Sequence, residues 1–276
     1  MDRLKICLLD MLSWFHEYCV ANHLRYYLVE GTMLGAARHQ GYIPWDDDID
    51  IGMPRPDYET LKKSIGGRVQ DGKYLLETEE SENEDYFYLY SKLYDTGTTQ
   101  IEDRRVQVVR GVGIDIFPLD GIGDTEEEAQ KNFKRIGFLT DVLTSRVVAV
   151  RDGRKWYKNL AVRLFQAIPR FMINEKKLMK KISLLCQERA FDDCEYVGGL
   201  VTTYRAKEIM PRSYYGEPAL YQFENIKVYG VRDYDRYLTH LYGDWRKLPP
   251  VDQRHTAHLQ LSVDLDHSYL ERKNEV

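Results

Sequence analysis

Residues 30–57 read EGTMLGAARHQGYIPWDDDIDIGMPRPD, and their centre is Asp48-Ile49-Asp50-Ile51. Alternation of an acid with a β-branched residue fits a half-buried strand, because successive side chains leave a strand on opposite faces. Asp48 and Asp50 then share one face while Ile49 and Ile51 anchor the other. Two ionised carboxylates that close repel each other. A divalent cation removes that penalty, and oxygen-only ligands suit Mg²⁺ or Mn²⁺. An acidic run is ordinarily a solvated loop. Here Trp45, Ile49 and Ile51 are costly to leave in water, which ties the run to buried structure. A calcium loop is the sharper rival, since Asp46, Asp48 and Asp50 occupy its first, third and fifth positions. It requires Gly at the sixth and usually Glu at the twelfth. This chain has Ile51 and Asp57 there, so that reading fails.

Upstream, residues 2–22 place Leu4, Leu8, Met11, Leu12, Phe15 and Cys19 at helical spacing. Residues 26–30 read as a short strand running into Gly31-Thr32. Thr32 is expected to cap a helix over 33–38, with Gly31 permitting a tight turn. Such a strand-to-helix turn aims backbone N–H groups at an anion, which makes it a candidate phosphate cradle. Alone, Gly-Thr is more often a plain turn. Its place ahead of the DxD strand gives it weight.

Downstream, Pro56 fits a helix first turn and Gly66-Gly67 would stop that helix. Strands are expected at 73–77, 86–94, 105–109 and 112–117. The last reads VGIDIF, with Asp115 between Ile114 and Ile116. An acid on a buried strand is costly unless paired or metal-bound. Beside a DxD, the ligand reading of Asp115 is favoured over a satisfied structural Asp. Thr125-x-x-Glu128 is a capping box opening the next helix. Residues 146–181 carry eleven basic side chains against two acids, interleaved with Trp156, Leu160, Leu164, Phe165, Ile168, Phe171 and Met172. The plain reading is a helical pair packed on the core with a solvated basic face. The alternative is a surface that rests on anionic lipid or a lipid-linked acceptor. Near the end, Tyr234, Tyr237, Leu238 and Leu241 define a helix stopped by Gly243. Pro249-Pro250 then forces an extended segment with Asp252, Arg254 and His255.

The 276 residues can hold one large domain or two modest ones. A net charge of −5 argues against a nucleic-acid polymerase or tight duplex binder, which needs a basic footprint. Cys7, Cys19, Cys186 and Cys194 show no metal-type spacing and are expected to be reduced core thiols. Neither a signal peptide nor a bilayer-spanning apolar run is evident, so a cytoplasmic location is expected, with peripheral contact at the inner face of a membrane as an option.

A Gly-Thr turn, a DxD strand and a third carboxylate on a later strand are the parts of nucleotidyltransferase-type catalysis. The block EGTMLGAARHQGYIPWDDDIDIGMPRPDYE, with GIDIFPLDGI downstream and YLTHLYGDWRKLPP near the end, resembles the LicD family of phosphotransferases. That family is related to fukutin and fukutin-related protein and belongs to the nucleotidyltransferase superfamily. The resemblance runs from the first helix to about residue 256 and is much weaker across 125–181. Where the family often has proline before the late helix, this chain has Val231. The resemblance implies an α+β fold: a nucleotidyltransferase-like mixed β-sheet flanked by helices, with a helical insertion and a helical C-terminal part. One catalytic domain over 1–276 is expected, with a basic helical subregion at about 125–195.

The activity implied is transfer of a phospho-alcohol, most typically phosphocholine from CDP-choline. The acceptor would be a sugar hydroxyl of a cell-surface glycan, lipid-linked glycan or teichoic-acid precursor, and CMP is released. Carried onto this chain, Asp48 and Asp50 match the metal-binding pair and Asp115 the third acid, with Asp46 in the same motif. Gly31 and Thr32 match the phosphate-facing turn, and Arg38 the motif's arginine. Lys92 is a further phosphate contact, and His39 ranks below Asp115 as a base. A quaternary ammonium would seek aromatic faces, with Trp45 and Tyr42 nearest in sequence. Two rivals remain at this stage: an enzyme moving a nucleotidyl group from an NTP, and a catalytically silent glycan- or nucleotide-binding module.

Overall fold

The computed structural model describes residues 1–102, 107–150, 155–202, 204–255 and 260–272. The first half runs α1 (Arg3–Ala21), β1 (Tyr27–Leu28), α2 (Glu30–His39), β2 (Asp50–Pro54), α3 (Arg55–Ile65), β3 (Arg68–Val69), β4 (Tyr74–Glu77), β5 (Ser91–Asp95), β6 (Thr99–Glu102), β7 (Val108–Arg110) and β8 (Gly113–Gly123). Then follow α4 (Glu126–Val147), α5 (Trp156–Ala167), α6 (Glu175–Cys186), β9 (Tyr196–Gly198), β10 (Met210–Pro211), β11 (Ala219–Phe223), β12 (Ile226–Gly230), α7 (Tyr234–Tyr242), β13 (Gln260–Asp264) and α8 (Tyr269–Arg272).

The main sheet has the order β11-β12-β1-β2-β8-β5-β4-β3, with β9 and β10 joined to the far half of β8. It is mixed: β1–β12 and β2–β8 are parallel, while β1–β2, β5–β8 and β4–β5 are antiparallel. Helices flank it, as the α+β expectation requires. In α1, Asp2 caps the first turn by accepting from Lys5 N (2.9 Å), and Leu8, Leu12, Phe15 and Cys19 are buried in one apolar core with Ile51, Ile114 and Ile116. A second core joins Ile122 of β8 to Phe133, Ile136 and Leu143 of α4 and to Met179 and Ile182 of α6. The four cysteines are free thiols, three of them buried.

Several boundaries move, each for a local reason. Strand β1 ends at Leu28 because Glu30 already belongs to α2, so Thr32 is inside that helix and does not cap it. Strand β2 starts at Asp50, although Ile49 O already accepts from Asp115 N (2.9 Å). Asp48 is therefore one residue before the paired strand. Residues 86–90 lie outside β5, where Tyr86, Tyr88 and Tyr90 stack on one another. Of the strand expected at 105–109, residues 105 and 106 fall outside the described residues; Val108–Arg110 is strand.

The C-terminal part contains α7, ended by Gly243 as expected, but is not wholly helical. Strands β11 and β12 form a hairpin whose turn carries Glu224 at φ 53° instead of an Asn-Gly or Asp-Gly pair. Helix α4 opens as the capping box predicts: Thr125 accepts from Glu128 N, and Glu128 Oε2 accepts from the amide of Asp124, one residue ahead of the usual partner. The basic tract divides. Helix α6 packs Met179, Ile182 and Cys186 inward, whereas α5 buries only Val162.

Buried ion pairs tie the helices to the sheet. Arg55, at the start of α3, makes a two-pronged contact to Asp120 of β8, both N–O distances being 2.7 Å. Asp120 is 1% exposed, so removing its carboxylate strands a buried guanidinium. Asp120→Ala is expected to lower stability by about 3–5 kcal/mol, read from the urea midpoint at constant slope.

Candidate active site

The ladder between β2 and β8 sets Asp50 directly opposite Asp115. Directly paired residues project to the same face of a sheet, so the two carboxylates are neighbours while Ile51 and Ile116 share the other side. On the far edge of β8, Lys92 of β5 is the partner of Asp115. Its Nζ lies 2.9 Å from Asp115 Oδ1, 3.6 Å from Glu102 Oε1 and 4.6 Å from the Tyr88 ring centre. The sequence-predicted Asp50, Asp115 and Lys92 thus form one row across three strands. Burial alone would lower the Lys92 pKa, but Asp115 leads the negative neighbours that hold it well above the ordinary lysine value.

Asp50 is 8% exposed. Burial raises its carboxyl pKa well above the usual range, and Asp48, Glu30, Asp115 and Asp46 push it further. The charges that act most strongly on Asp50 are therefore all negative. This concentration of hard oxygen donors fits Mg²⁺ or Mn²⁺ in charge and chemistry. The spacing is not preset: among the described residues, no three His, Cys, Asp or Glu side chains are arranged to hold a metal ion as they stand.

Local packing explains the glycine and threonine of the motif. A Cβ on Gly31 would come within 3.0 Å of Asp46 Oδ2, so glycine lets the acidic loop approach α2. Thr32 Oγ1 accepts from Asp50 N at 2.8 Å and fixes where β2 begins. The amides of Gly31 and Thr32 belong to the first turn of α2, where N–H groups have no intrahelical acceptor. The amide of Glu30, in the same turn, goes to Tyr237 Oη (3.0 Å).

Arg38 is half-buried and donates to the carbonyl of Trp245 (2.9 Å), with His39 Nδ1 at 3.5 Å from its Nε. Burial and then Arg254 lower the Arg38 pKa against the opposite pull of Tyr242, so the two guanidiniums are close. Arg254 also faces the Trp45 ring at 5.5 Å. His39 has its pKa lowered by burial and by Arg38, and its ring meets Trp45 edge-on. The Tyr42 side chain is engaged elsewhere: it is 7% exposed, packs on Phe223 and donates to Lys5 O.

Three residues that sequence reasoning left out belong here. Arg254 was visible after Pro249-Pro250, but nothing in the sequence brings it to Arg38. Glu30 stands one residue before the quoted motif glycine. It is 6% exposed, and burial followed by Asp48 pushes its carboxyl up to about 8. Its φ of 47° is left-handed, a conformation that costs a non-glycine residue about 1–2 kcal/mol. Glu208 is fully buried beside it and is likewise raised well above the ordinary value, by burial and then by Glu30.

These raised carboxyls give stability a sign. Between its ordinary value and about 8, Glu30 is protonated in the folded chain and ionised in the unfolded one. The folded state binds the extra proton, so stability falls as pH rises through that window and levels above it. Glu30→Gln is expected to flatten part of that slope. Denaturation midpoints taken from pH 5 to pH 8.5 check it.

The nucleotidyltransferase domain of the LicD/FKTN/FKRP family matches residues 23–141, which include every acid of the row. The chain is 27% identical over 260 residues to the lipopolysaccharide cholinephosphotransferase LicD of Haemophilus influenzae, covering 92% of this chain and 94% of that protein. It is 36% identical over 93 residues to the human ribitol 5-phosphate transferase FKRP, covering 31% of this chain and 19% of that protein. Mannosyltransferase regulator 4 of Saccharomyces cerevisiae is 26% identical over 117 residues, 40% of this chain and 9% of that protein. Motif, acid row and similarity over most of the chain agree, and residues 23–141 are a nucleotidyltransferase domain of the LicD family, related to fukutin and fukutin-related protein.

Proposed function

We propose that this chain is a metal-dependent CDP-alcohol phosphotransferase of glycan modification. It moves a phospho-alcohol, with phosphocholine from CDP-choline favoured, to a sugar hydroxyl of a cell-surface glycan, lipid-linked glycan or teichoic-acid precursor, and releases CMP. The observation that carries the reading is the register of Asp50 with Asp115, flanked by Lys92. The names of two relatives, a cholinephosphotransferase and a ribitol 5-phosphate transferase, both describe transfer of a phospho-alcohol and support the donor class.

In this reading the acceptor oxygen forms a bond to the phosphorus that bears the alcohol. The bond from that phosphorus to the bridging oxygen breaks, and CMP leaves with the electron pair. The hydroxyl proton passes to Asp115 where that carboxylate is not itself a ligand. Asp48 and Asp50, with Asp115 and Asp46 beside them, would hold a Mg²⁺ or Mn²⁺ that screens the charge of the diphosphate. Lys92 holds Asp115 in place (2.9 Å) and offers a positive charge to the phosphate. Arg38 and Arg254 face the nucleotide's phosphates, together with the first-turn amides at Gly31 and Thr32.

Asp48→Asn and Asp50→Asn are each expected to cut turnover by roughly a thousandfold or more while the chain stays folded. The assay follows CMP and the phosphorylated acceptor from a CDP-alcohol with Mg²⁺. Unchanged activity in both variants ends the proposal, and pyrophosphate release from an NTP instead would establish the nucleotidyl-transfer rival.

The same reading gives α5 a place at a membrane. Among the described residues, no helix is long and apolar enough to cross one. Yet Trp156 (76%), Leu164 (61%), Phe171 (88%) and Met172 (67%) stand exposed within the strongly basic tract of an acidic chain. Apolar side chains rimmed by Lys and Arg fit an anionic bilayer. Co-sedimentation with phosphatidylglycerol vesicles is expected, weakened in Trp156→Ala with Phe171→Ala. Equal sedimentation with neutral vesicles would remove the membrane from the account.

A further inference from the structure

Beside the acid row lies a second polar cluster that the transfer step leaves unused. Among the described residues, the buried side-chain oxygens Glu30 Oε1, Thr202 Oγ1, Glu208 Oε1 and Tyr215 Oη find no partner at hydrogen-bond geometry. They are close together: Glu30 acts on Glu208, and both act on Tyr215, Tyr237 and Tyr242. The cluster also adjoins the catalytic acids, since Glu30 feels Asp48 and Asp115, and Tyr204 feels Asp50. Glu30 (6% exposed) and Glu208 (2%) form its floor, while Thr202, Tyr204 and Tyr242 are half-exposed and form a rim.

An orphaned buried oxygen destabilises the fold, and the left-handed backbone at Glu30 adds to that. Such costs persist at sites that gain something on binding. A proton shared between the two acids would require a hydrogen bond between them, and neither Oε1 has one. A hard metal ion asks for more ligands than two carboxylates, and none of the described clusters supplies a third. What the cluster does supply is two buried carboxyls that an arriving cation would draw toward ionisation, below aromatic walls. The Tyr204 and Tyr242 rings stand at 90° with centres 5.5 Å apart, and Tyr215 and Tyr237 meet at 69° and 5.7 Å. Perpendicular aromatic faces beside carboxyls that can ionise attract an organic cation.

We propose that Glu30, Glu208 and Thr202, walled by the rings of Tyr204, Tyr237 and Tyr242, form the subsite for the alkylammonium end of the donor's alcohol. The assignment rests on the phosphotransferase reading and narrows it. The acid row handles the diphosphate, and the neighbouring cluster selects a donor whose alcohol is positively charged over one that is a neutral polyol. Neither carboxylate is needed for phosphoryl transfer itself, so their contribution is to discrimination.

The test is calorimetric titration of the full chain, with Mg²⁺, against CMP, CDP-choline, CDP-ethanolamine and CDP-ribitol. The wild type is expected to bind the two cationic donors more tightly than CDP-ribitol. Glu208→Gln should weaken CDP-choline by about tenfold or more and leave CMP within about twofold. Tyr204→Leu should do the same, whereas Tyr204→Phe, which keeps the ring face, should bind CDP-choline like the wild type. The Tyr204 pair is on the rim and carries the test if Glu208→Gln fails to fold. Equal losses for every ligand, or a larger loss for CDP-ribitol, overturn the subsite and leave the phosphotransferase standing. A wild type that binds none of the CDP-alcohols overturns the donor class, and the subsite with it.

Discussion

The parallel pairing of β2 with β8 is the constraint on which the rest depends. Ile51 and Ile116 are fully buried on one side of these strands, so a shift of register by one residue would send carboxylates into the apolar core. The hydrophobic side therefore holds the acids in line on the other. Backbone geometry is reinforced from α2, where the Thr32 hydroxyl takes the first amide of β2. Gly31 and Gly41 let neighbouring segments close in, the first toward Asp46 and the second toward Glu224.

Charge is distributed unevenly across this frame. Buried carboxylates elsewhere are matched by guanidinium or ammonium groups: Asp120 by Arg55, Glu79 by Lys62, Glu77 by Arg110 and Glu175 by Arg146. Around the buried Asp50 the charges that act most are other carboxylates, and Glu30 pushes the Glu208 carboxyl further upward. The contrast with those paired acids is what the proposed function draws on: an incoming group of opposite charge would supply the compensation that these acids lack.

Much of this was legible in the chain. The alternation at 48–51 and again at 114–116 located two central strands, and their acids turned out to face each other. Helices α1 and α7 followed from apolar spacing, and α3 and α7 were bounded by their glycine stops. The hairpin β11–β12 was not legible, because its strands have mixed exposure and its turn lacks the usual residues. Glu30 looked like the end of a strand. Its burial depends on Tyr237 and Glu208, far along the chain, and no local pattern encodes that encounter. Arg254 was noticed in its extended segment, but its proximity to Arg38 is purely tertiary.

Strand β8 continues for eleven residues, about 36 Å at strand rise, without a helix or loop interrupting it. Its first half carries Asp115, while its second half carries Asp120, β9 and the core beneath α4 and α6. It works as a single stiff beam shared by two hydrophobic cores. Helices α4 and α6 pack on the second half of that strand, so under the proposed function a surface resting on α5 would sit at a distance from Asp115 that β8 helps to set. On that proposal, strand length would set the reach of the site, and lengthening or bending β8 would change which acceptors it meets.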